Sequence, residues 1–233
     1  MRTELTLSKR LEAIFSLVPR GATLIDVGTD HAYLPIALIL NAGAVRVWAS
    51  DINSGPLKIA AENISAYGLS DRIALYLSDG LADCRCEENR YDHIVIAGMG
   101  GETISAIIDG CEYSKSARPV FILQPMTMQY HLRNYLAENR FEIIKESVVF
   151  DDGKYYNIIK TRFSGKKQNL CEFEKMFGLF DKAEVKNDVI LQNHLSYERN
   201  KLLKIIEGKT EGAIDCSFEQ SMVTMIADLI GEV

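Results

Sequence analysis

Apolar residues recur with two different periods over the first 140 residues, which predicts short buried strands between amphipathic helices. Residues 5–18 place apolar side chains at helical spacing, and the run ATLIDV (22–27) has the composition of a buried strand. We expect further strands at 45–51, 73–77, 93–98 and 120–124, with Pro125 ending the last of them. Strands that alternate with helices of about 10 to 15 residues indicate βαβ units and a parallel sheet buried on both faces.

The pattern changes after residue 140. Two β-rich runs, 141–150 and 155–163, flank a turn-forming stretch of Asp, Gly and Lys, which predicts an antiparallel hairpin at the edge of the sheet. A terminal hairpin is typical of the methyltransferase version of the Rossmann-like α/β fold. From residue 169 onward, apolar side chains recur at intervals of three and four, which predicts an antiparallel helix pair. We therefore predict a Rossmann-like domain over 1–163 and a small helical domain over 164–233.

Charge and composition restrict the classes of partner. The chain has 26 Lys and Arg against 32 Asp and Glu among 233 residues, a net charge of −6. This balance argues mildly against a protein coated in nucleic acid but leaves room for local basic patches. The candidate patches are Lys9-Arg10, Lys166-Lys167 and the group Arg199, Lys201 and Lys204.

Neither a membrane segment nor a metal site is predicted. No apolar run approaches the roughly 20 residues that cross a bilayer, and the first residues lack the apolar stretch of a signal peptide. The five cysteines are scattered, and Cys84 and Cys86 have no second Cys or His pair at zinc-site spacing. We expect a cytoplasmic protein with reduced thiols, and we favour a monomer.

The turn after the first strand distinguishes between two kinds of nucleotide cofactor. A dinucleotide site uses G-x-G-x-x-G, so that backbone amides and a helix N-terminus hold the pyrophosphate. Here Gly28 supplies the first glycine, but Asp30 stands where the second belongs. A carboxylate repels a pyrophosphate and attracts the ammonium and sulfonium groups of S-adenosylmethionine. The residues therefore favour S-adenosylmethionine over NAD.

Acidic residues also follow the next two strands. Asp51 lies 23 residues after Gly28. An acidic residue about 20 residues after the glycine can accept hydrogen bonds from ribose hydroxyls. Asp79 follows the third strand, where it can accept from an adenine amino group. A helix N-cap or a loop turn explains any one of them equally well. Acidic strand ends in three consecutive βα units favour a nucleoside pocket.

The run IAGMGG (96–101) ends the fourth predicted strand. Three glycines in four positions keep side chains away from the sheet edge, which suits a flat ligand lying against backbone. A tight turn into the next helix is the alternative explanation. Gln124 ends the fifth predicted strand beside this run.

Together these motifs resemble the TrmK family of bacterial tRNA (adenine-22-N1)-methyltransferases. The resemblance spans about residues 5–163, and the helical tail is similar to the family's coiled-coil-like C-terminal domain in length and character only. It implies S-adenosylmethionine-dependent methylation of N1 of an adenine in the D-arm of tRNA. The motifs that carry it are LSKRL (7–11), DVGTDHAYLP (26–35), SDGL (78–81), IAGMGG (96–101), ILQP (122–125) and DDGKYY (151–156).

The residues and the resemblance together define a predicted site. Adenine N1 is a neutral nucleophile that needs no general base, and its methylated product is cationic. Because a carboxylate can stabilise this positive charge as it develops, Asp30 is the predicted catalytic residue. Tyr33 and the Tyr155-Tyr156 pair are predicted platforms for a base turned out of its stack, and Lys9 and Arg10 are predicted phosphate contacts. The predicted cofactor-binding residues are Asp26, Gly28, Asp30, His31, Asp51, Ile52, Asp79, Gly80, Ala97, Gly98, Met99 and Gly100. The predicted substrate-binding residues are Lys9, Arg10, Tyr33, Gly101, Gln124 and Tyr155.

Three other interpretations stay open at this point. The first is a methyltransferase that acts on a small molecule or a protein, which the acidic charge favours slightly. The second is an NAD(P)-dependent reductase, which Asp30 disfavours. The third is a tRNA-binding protein that kept the fold without catalysis.

Overall fold

The computed structural model describes residues 5–44, 46–84, 88 and 90–232. Val45, the first residue of a predicted strand, and Cys86 lie outside these ranges. The strands are β1 Thr23–Val27, β2 Arg46–Asp51, β3 Ile73–Leu77, β4 His93–Gly100, β5 Val120–Thr127, β6 Phe141–Asp151 and β7 Lys154–Phe163. The helices are α1 Lys9–Leu17, α2 Tyr33–Asn41, α3 Ser54–Ala66, α4 Gly101–Asp109, α5 Tyr113–Ser116, α6 Gln129–Glu138, α7 Glu172–Phe177, α8 Lys182–Asn187, α9 Val189–Glu211 and α10 Ser217–Ile230.

The strands form one seven-stranded sheet of order β3-β2-β1-β4-β5-β7-β6. Strands β1 to β5 pair in parallel, whereas β7 pairs antiparallel with both β5 and β6. The predicted Rossmann-like methyltransferase sheet with a terminal hairpin is therefore confirmed. The strand order reverses between β1 and β4, and ligands of such sheets bind beyond the carboxyl ends of the strands at that point.

Alternating side chains of the sheet build two separate cores. Leu24 packs with α1, α2 and α3 on one face, and the next residue, Ile25, packs with α4 and α6 on the other. This period of two is what a strand buried on both faces requires. A third core lies between β6 and the tail helices and includes Val148, Leu195 and Ile226.

Strand β5 corrects one sequence expectation. We expected Pro125 to stop it, but the strand runs on to Thr127. The pairing of β4 with β5 shifts register between Ala97 and Met99, and Pro125 lies opposite Met99 at this irregularity. A proline has no N–H to donate, and a bulge is where a strand tolerates one. The β4 strand likewise extends to Gly100, two residues beyond the prediction.

The tail ends in the antiparallel helix pair that the periodicity predicted. Two ion pairs hold α9 to the segment that follows it. Lys209 pairs with Glu219 of α10 near the turn, and Arg199 pairs with Glu232, two residues beyond the end of α10. Two short helices, α7 and α8, come before the pair and pack against the hairpin with it. Among the described residues, none of the helices is both long and apolar enough to span a membrane.

Candidate functional site

A cavity of about 360 Å³ opens where the strand order reverses, at the carboxyl ends of β1 and β4. Three segments enclose it: the start of α1, the loop from β1 into α2, and the end of β4. Its lining residues are Arg10, Leu11, Asp26, Gly28, Thr29, Asp30, His31, Ala32, Tyr33, Leu34, Ala97 and Gly98. Six of the predicted cofactor-binding residues therefore share one pocket.

Gly28 fixes the floor of this pocket. Its backbone N–H and that of Thr29 both donate to the Ser50 carbonyl oxygen of β2 at 2.8 Å. Gly28 has a φ of +78°, and a Cβ there would lie 2.2 Å from the Met99 Cε. The turn thus requires the left-handed backbone that glycine adopts without strain. Met99, one of the predicted cofactor-binding residues, packs against this turn.

Asp26 is the buried carboxyl group of the pocket. Burial raises the pKa of Asp26 to about 6, and a hydrogen bond from the Thr29 side chain partly opposes that rise. A cationic ligand group at this position would favour the ionised form. An ammonium group bound in the pocket would therefore stabilise the ionised Asp26 carboxylate.

Asp30 and His31 form the open rim of the pocket. The Asp30 carboxylate is 73% exposed, and one of its oxygens lies 3.1 Å from His31 Nε2. His31 Nδ1 is buried and has no hydrogen-bond partner among the described residues. A buried ring nitrogen without a partner is a polar group available to a ligand, because such groups are otherwise satisfied. Tyr33 stands beside it, with the two ring centres 5.4 Å apart.

The other predicted cofactor residues lie along the same sheet edge, outside the cavity. Asp51 is half-buried, its Oδ1 accepts from the Asn53 backbone N–H at 2.7 Å, and the neighbouring Ile52 is 60% exposed. Asp79 lines a separate small cavity against α4, and Gly80 packs against Ile107. Three strand spacings, about 14 Å in total, separate the end of β4 from the end of β3. The predicted cofactor residues at these strand ends therefore form a row along the sheet edge and do not share a single pocket.

Arg10 and Gln124 are joined by a hydrogen bond across 114 positions of sequence. Arg10 Nη1 donates to Gln124 Oε1 at 2.7 Å, and the Gly98 N–H donates to the same oxygen at 3.1 Å. The Arg10 backbone N–H donates to Asp151 Oδ2 at 3.1 Å, and its guanidinium lies 5.6 Å from the centre of the Tyr156 ring. Sequence reasoning missed this connection, which ties α1 to the hairpin and closes the pocket.

The predicted substrate residues are dispersed. Arg10 and Tyr33 line the pocket, whereas Lys9 is exposed outside it. Gly101 starts α4 against the Met128 carbonyl, where a Cβ would lie 2.3 Å from the oxygen, so the structure gives it a packing role. Tyr155 lines a different cavity, on the tail side of the hairpin. Within the described ranges, no cluster of His, Cys, Asp and Glu that could hold a metal is found.

Sequence and structure comparisons agree with this geometry. The family model described as a methyltransferase domain matches residues 7–159. The tRNA (adenine(22)-N(1))-methyltransferase of Bacillus subtilis is 36% identical over 156 residues, which cover 67% of this chain and 65% of that protein. The sequence match thus spans slightly less than two thirds of the curated relative.

Solved structures match over nearly the whole chain. A Streptococcus pneumoniae structure in complex with S-adenosyl-L-methionine is 31% identical, covers 97% of this chain and 100% of its own, and gives a TM-score of 0.82. The TrmK of M. capricolum, solved with S-adenosyl-homocysteine, is 29% identical, with coverages of 97% and 98% and a TM-score of 0.78.

The sheet, its terminal hairpin and the pocket at the strand reversal define a Rossmann-like methyltransferase. The likeness to solved structures includes the helical tail, since it extends over 97% of the chain. The chain belongs to the TrmK family of bacterial tRNA (adenine-22-N1)-methyltransferases.

Proposed function

We propose that this protein transfers the methyl group of S-adenosyl-L-methionine to N1 of adenine 22 in the D-arm of tRNA. The observation that carries the proposal is the pocket at the strand reversal, which contains the buried Asp26 carboxyl group, the exposed Asp30 carboxylate and a His31 Nδ1 with no hydrogen-bond partner among the described residues. The curated Bacillus subtilis relative has this activity in its name. We further propose that the protein acts in the cytoplasm, where its substrate would be found.

The residues present fit S-adenosylmethionine. Asp26 and Asp30 offer negative charge to its ammonium and sulfonium groups, and His31 Nδ1, which has no partner in the described part of the chain, can exchange a hydrogen bond with it. Asp51, one strand further along, is the proposed acceptor for the ribose hydroxyls, with the exposed Ile52 beside the adenine ring. Asp79 is the proposed acceptor for the adenine amino group, at the far end of the row.

Catalysis then depends on alignment and charge. The bound cofactor supplies a methyl group that is already activated, and adenine N1 supplies its own lone pair. Holding the two reactants in line is worth on the order of 7–11 kcal/mol in the best cases. Asp30, exposed at the pocket rim, is the group we propose to stabilise the positive charge that develops on the base.

Arg10 supplies the positive charge of the pocket. Because Gln124 holds its guanidinium inside the cavity, we propose that Arg10 binds the phosphate of the nucleotide that enters. Gln124 is buried and its side-chain amide already makes internal hydrogen bonds, so we assign it a positioning role. The tail over 164–233 is the proposed second contact with tRNA.

The test is methylation of an unmodified tRNA transcript by the purified protein, with primer extension to locate the modified base. We expect arrest of the primer at position 22 and no methyl incorporation into a matched transcript that carries guanine there. Calorimetry with S-adenosylhomocysteine tests cofactor binding separately. Incorporation into a metabolite extract but not into tRNA would favour the small-molecule alternative, and binding of both ligands without turnover would favour a non-catalytic protein.

A further inference from the structure

A second and larger cavity, of about 660 Å³, lies between the hairpin and the long tail helix α9. It shares none of its lining residues with the pocket at the strand reversal. The two cavities lie on opposite faces of β7, since Tyr156 packs with the α1 core while Tyr155 packs with the tail core. The residues that line it are Gln129, Phe150, Gly153, Lys154, Tyr155, Asn157, Met176, His194, Tyr197, Glu198 and Lys201.

Aromatic rings form one wall of this cavity. Tyr155 is central, with ring centres 4.9 Å from Phe150, 5.2 Å from His194 and 5.8 Å from Tyr197. Phe150 is 40% exposed and Tyr197 is 52% exposed. Partly exposed aromatic rings in a group are a stacking platform for an unpaired nucleobase, because every base offers an apolar face of similar size.

A neutral hydrogen-bonding group lies behind the rings. His194 is only 5% exposed, and its burial lowers its pKa to about 4, so the ring is uncharged at neutral pH. Its Nδ1 is buried with no partner in the part of the chain that the structure describes. Because buried polar atoms are nearly always satisfied, this nitrogen is available to the edge of a bound heterocycle.

Charged groups at the rim suit a phosphate. Lys154 is exposed and takes part in no ion pair within the described ranges. Lys201 lies 5.4 Å from the centre of the Tyr197 ring, and its Nζ lies 2.8 Å from the Glu198 carboxylate, which it neutralises. The rim thus carries an excess of positive charge beside a stacking surface.

We propose that this cavity is a second nucleotide-binding site, which holds an unstacked base of the tRNA substrate while the target adenine occupies the pocket at the strand reversal. The inference rests on the proposed function. The cavity suits a neighbouring nucleotide, since β7 runs antiparallel to β5 and its first residues therefore lie at the same carboxyl edge of the sheet. The aromatic wall, the neutral nitrogen and the lysines match a base, its edge and its phosphate respectively.

The experiment compares tRNA affinity among variants of the full chain. Tyr197→Ala removes a half-exposed ring of the wall, and Leu203→Ala is the matched control, because Leu203 is 44% exposed on the same helix and does not line the cavity. We expect Tyr197→Ala to weaken tRNA binding by about 5- to 150-fold, the range for the loss of one base–aromatic stack. S-adenosylhomocysteine affinity should stay within about twofold for both variants.

Two further measurements keep the proposal separable from the proposed function. Lys154→Ala should reduce the slope of log K against log salt by about one unit, whereas Lys204→Ala on the outside of α9 serves as its charge-matched control. A short unpaired oligoribonucleotide should shift the His194 ring resonances in nuclear magnetic resonance spectra. Equal tRNA affinity for Tyr197→Ala and Leu203→Ala, or unshifted His194 resonances, would overturn the inference even if adenine 22 is methylated. If Tyr197→Ala weakens tRNA binding as expected but the protein does not methylate adenine 22, only the proposed function is refuted.

Discussion

A fully buried ion pair of the methyltransferase domain also contacts the tail. Arg133 of α6 donates from Nε and Nη2 to the Glu146 carboxylate of β6, with distances of 2.9 to 3.1 Å, and neither side chain is exposed. Its Nη2 also donates to Asn157 Oδ1, and its Nη1 donates to the carbonyl oxygens of Lys175 and Met176, all at 3.1 Å. The guanidinium therefore connects a helix, both hairpin strands and the tail.

Replacing Arg133 with Met should strongly destabilise the protein. The variant keeps the apolar stem but leaves Glu146 as a buried charge without its cationic partner, and breaking such a pair costs about 3–5 kcal/mol. The two tail carbonyls and the Asn157 oxygen lose their donor as well, which costs about 1–3 kcal/mol for each group that stays dry. We expect the free energy of unfolding to fall by at least about 4 kcal/mol. This is a large part of the total, because the free energy of unfolding of a domain is about 5–15 kcal/mol.

Urea denaturation followed by circular dichroism measures this loss, with Arg162→Met as the control. Arg162 is exposed on β7, so its replacement should change the free energy of unfolding by less than about 0.5 kcal/mol. The double variant Arg133→Met/Glu146→Leu should recover part of the loss, because it removes the buried charge but not the unsatisfied carbonyls. A loss below about 1 kcal/mol for Arg133→Met, or no recovery in the double variant, would refute the reasoning.

Three substitutions in the pocket have separate expected outcomes. Because the pKa of Asp26 is about 6 in the folded protein and 3.8 in the unfolded chain, ligand-free stability should fall as pH rises from about 4 to 6. Asp26→Asn should therefore raise the free energy of unfolding by up to about 3 kcal/mol above pH 6, as measured by thermal unfolding, and it should weaken S-adenosylhomocysteine binding. A dependence of stability on pH that the substitution leaves unchanged would contradict this. Gly28→Ala should lower the free energy of unfolding by about 1–2 kcal/mol in urea denaturation, because Gly28 has a φ of +78°. It should also weaken cofactor binding by displacing Met99, and an unchanged affinity for S-adenosylhomocysteine in calorimetry would contradict this effect. Asp30→Ala should reduce turnover far more than cofactor affinity in steady-state assays, and equal losses would leave Asp30 with its cofactor-binding role alone.

The sequence predicted those parts of the fold and site that depend on local pattern. The strands, the hairpin and the turn at Gly28 each follow from residues close together in the chain. Gln124 and Arg10 are 114 positions apart, and no periodicity relates them. Arg133 looks like a surface residue of an amphipathic helix, since the partners that bury it come from the hairpin and the tail. The prediction that β5 ends at Pro125 was wrong, because the irregular pairing of β4 with β5 accommodates the proline.

The salt dependence of tRNA binding follows from how the basic residues are paired. Of the candidate patches, Lys167, Arg199 and Lys201 are engaged by glutamates of the same chain. Lys9, Lys166 and Lys204 take part in no ion pair within the described ranges, and neither does Lys154 at the hairpin. Lys204, on the outside of α9, is not expected to contact a phosphate, so the expected contacts are Lys9, Lys166, Lys154 and Arg10. Each phosphate contact contributes about 0.7–0.9 to the slope of log K against log salt, which predicts a slope between about −3 and −4. A slope of about −8 or steeper, measured by filter binding over a range of potassium chloride, would mean that the internal ion pairs open when tRNA binds.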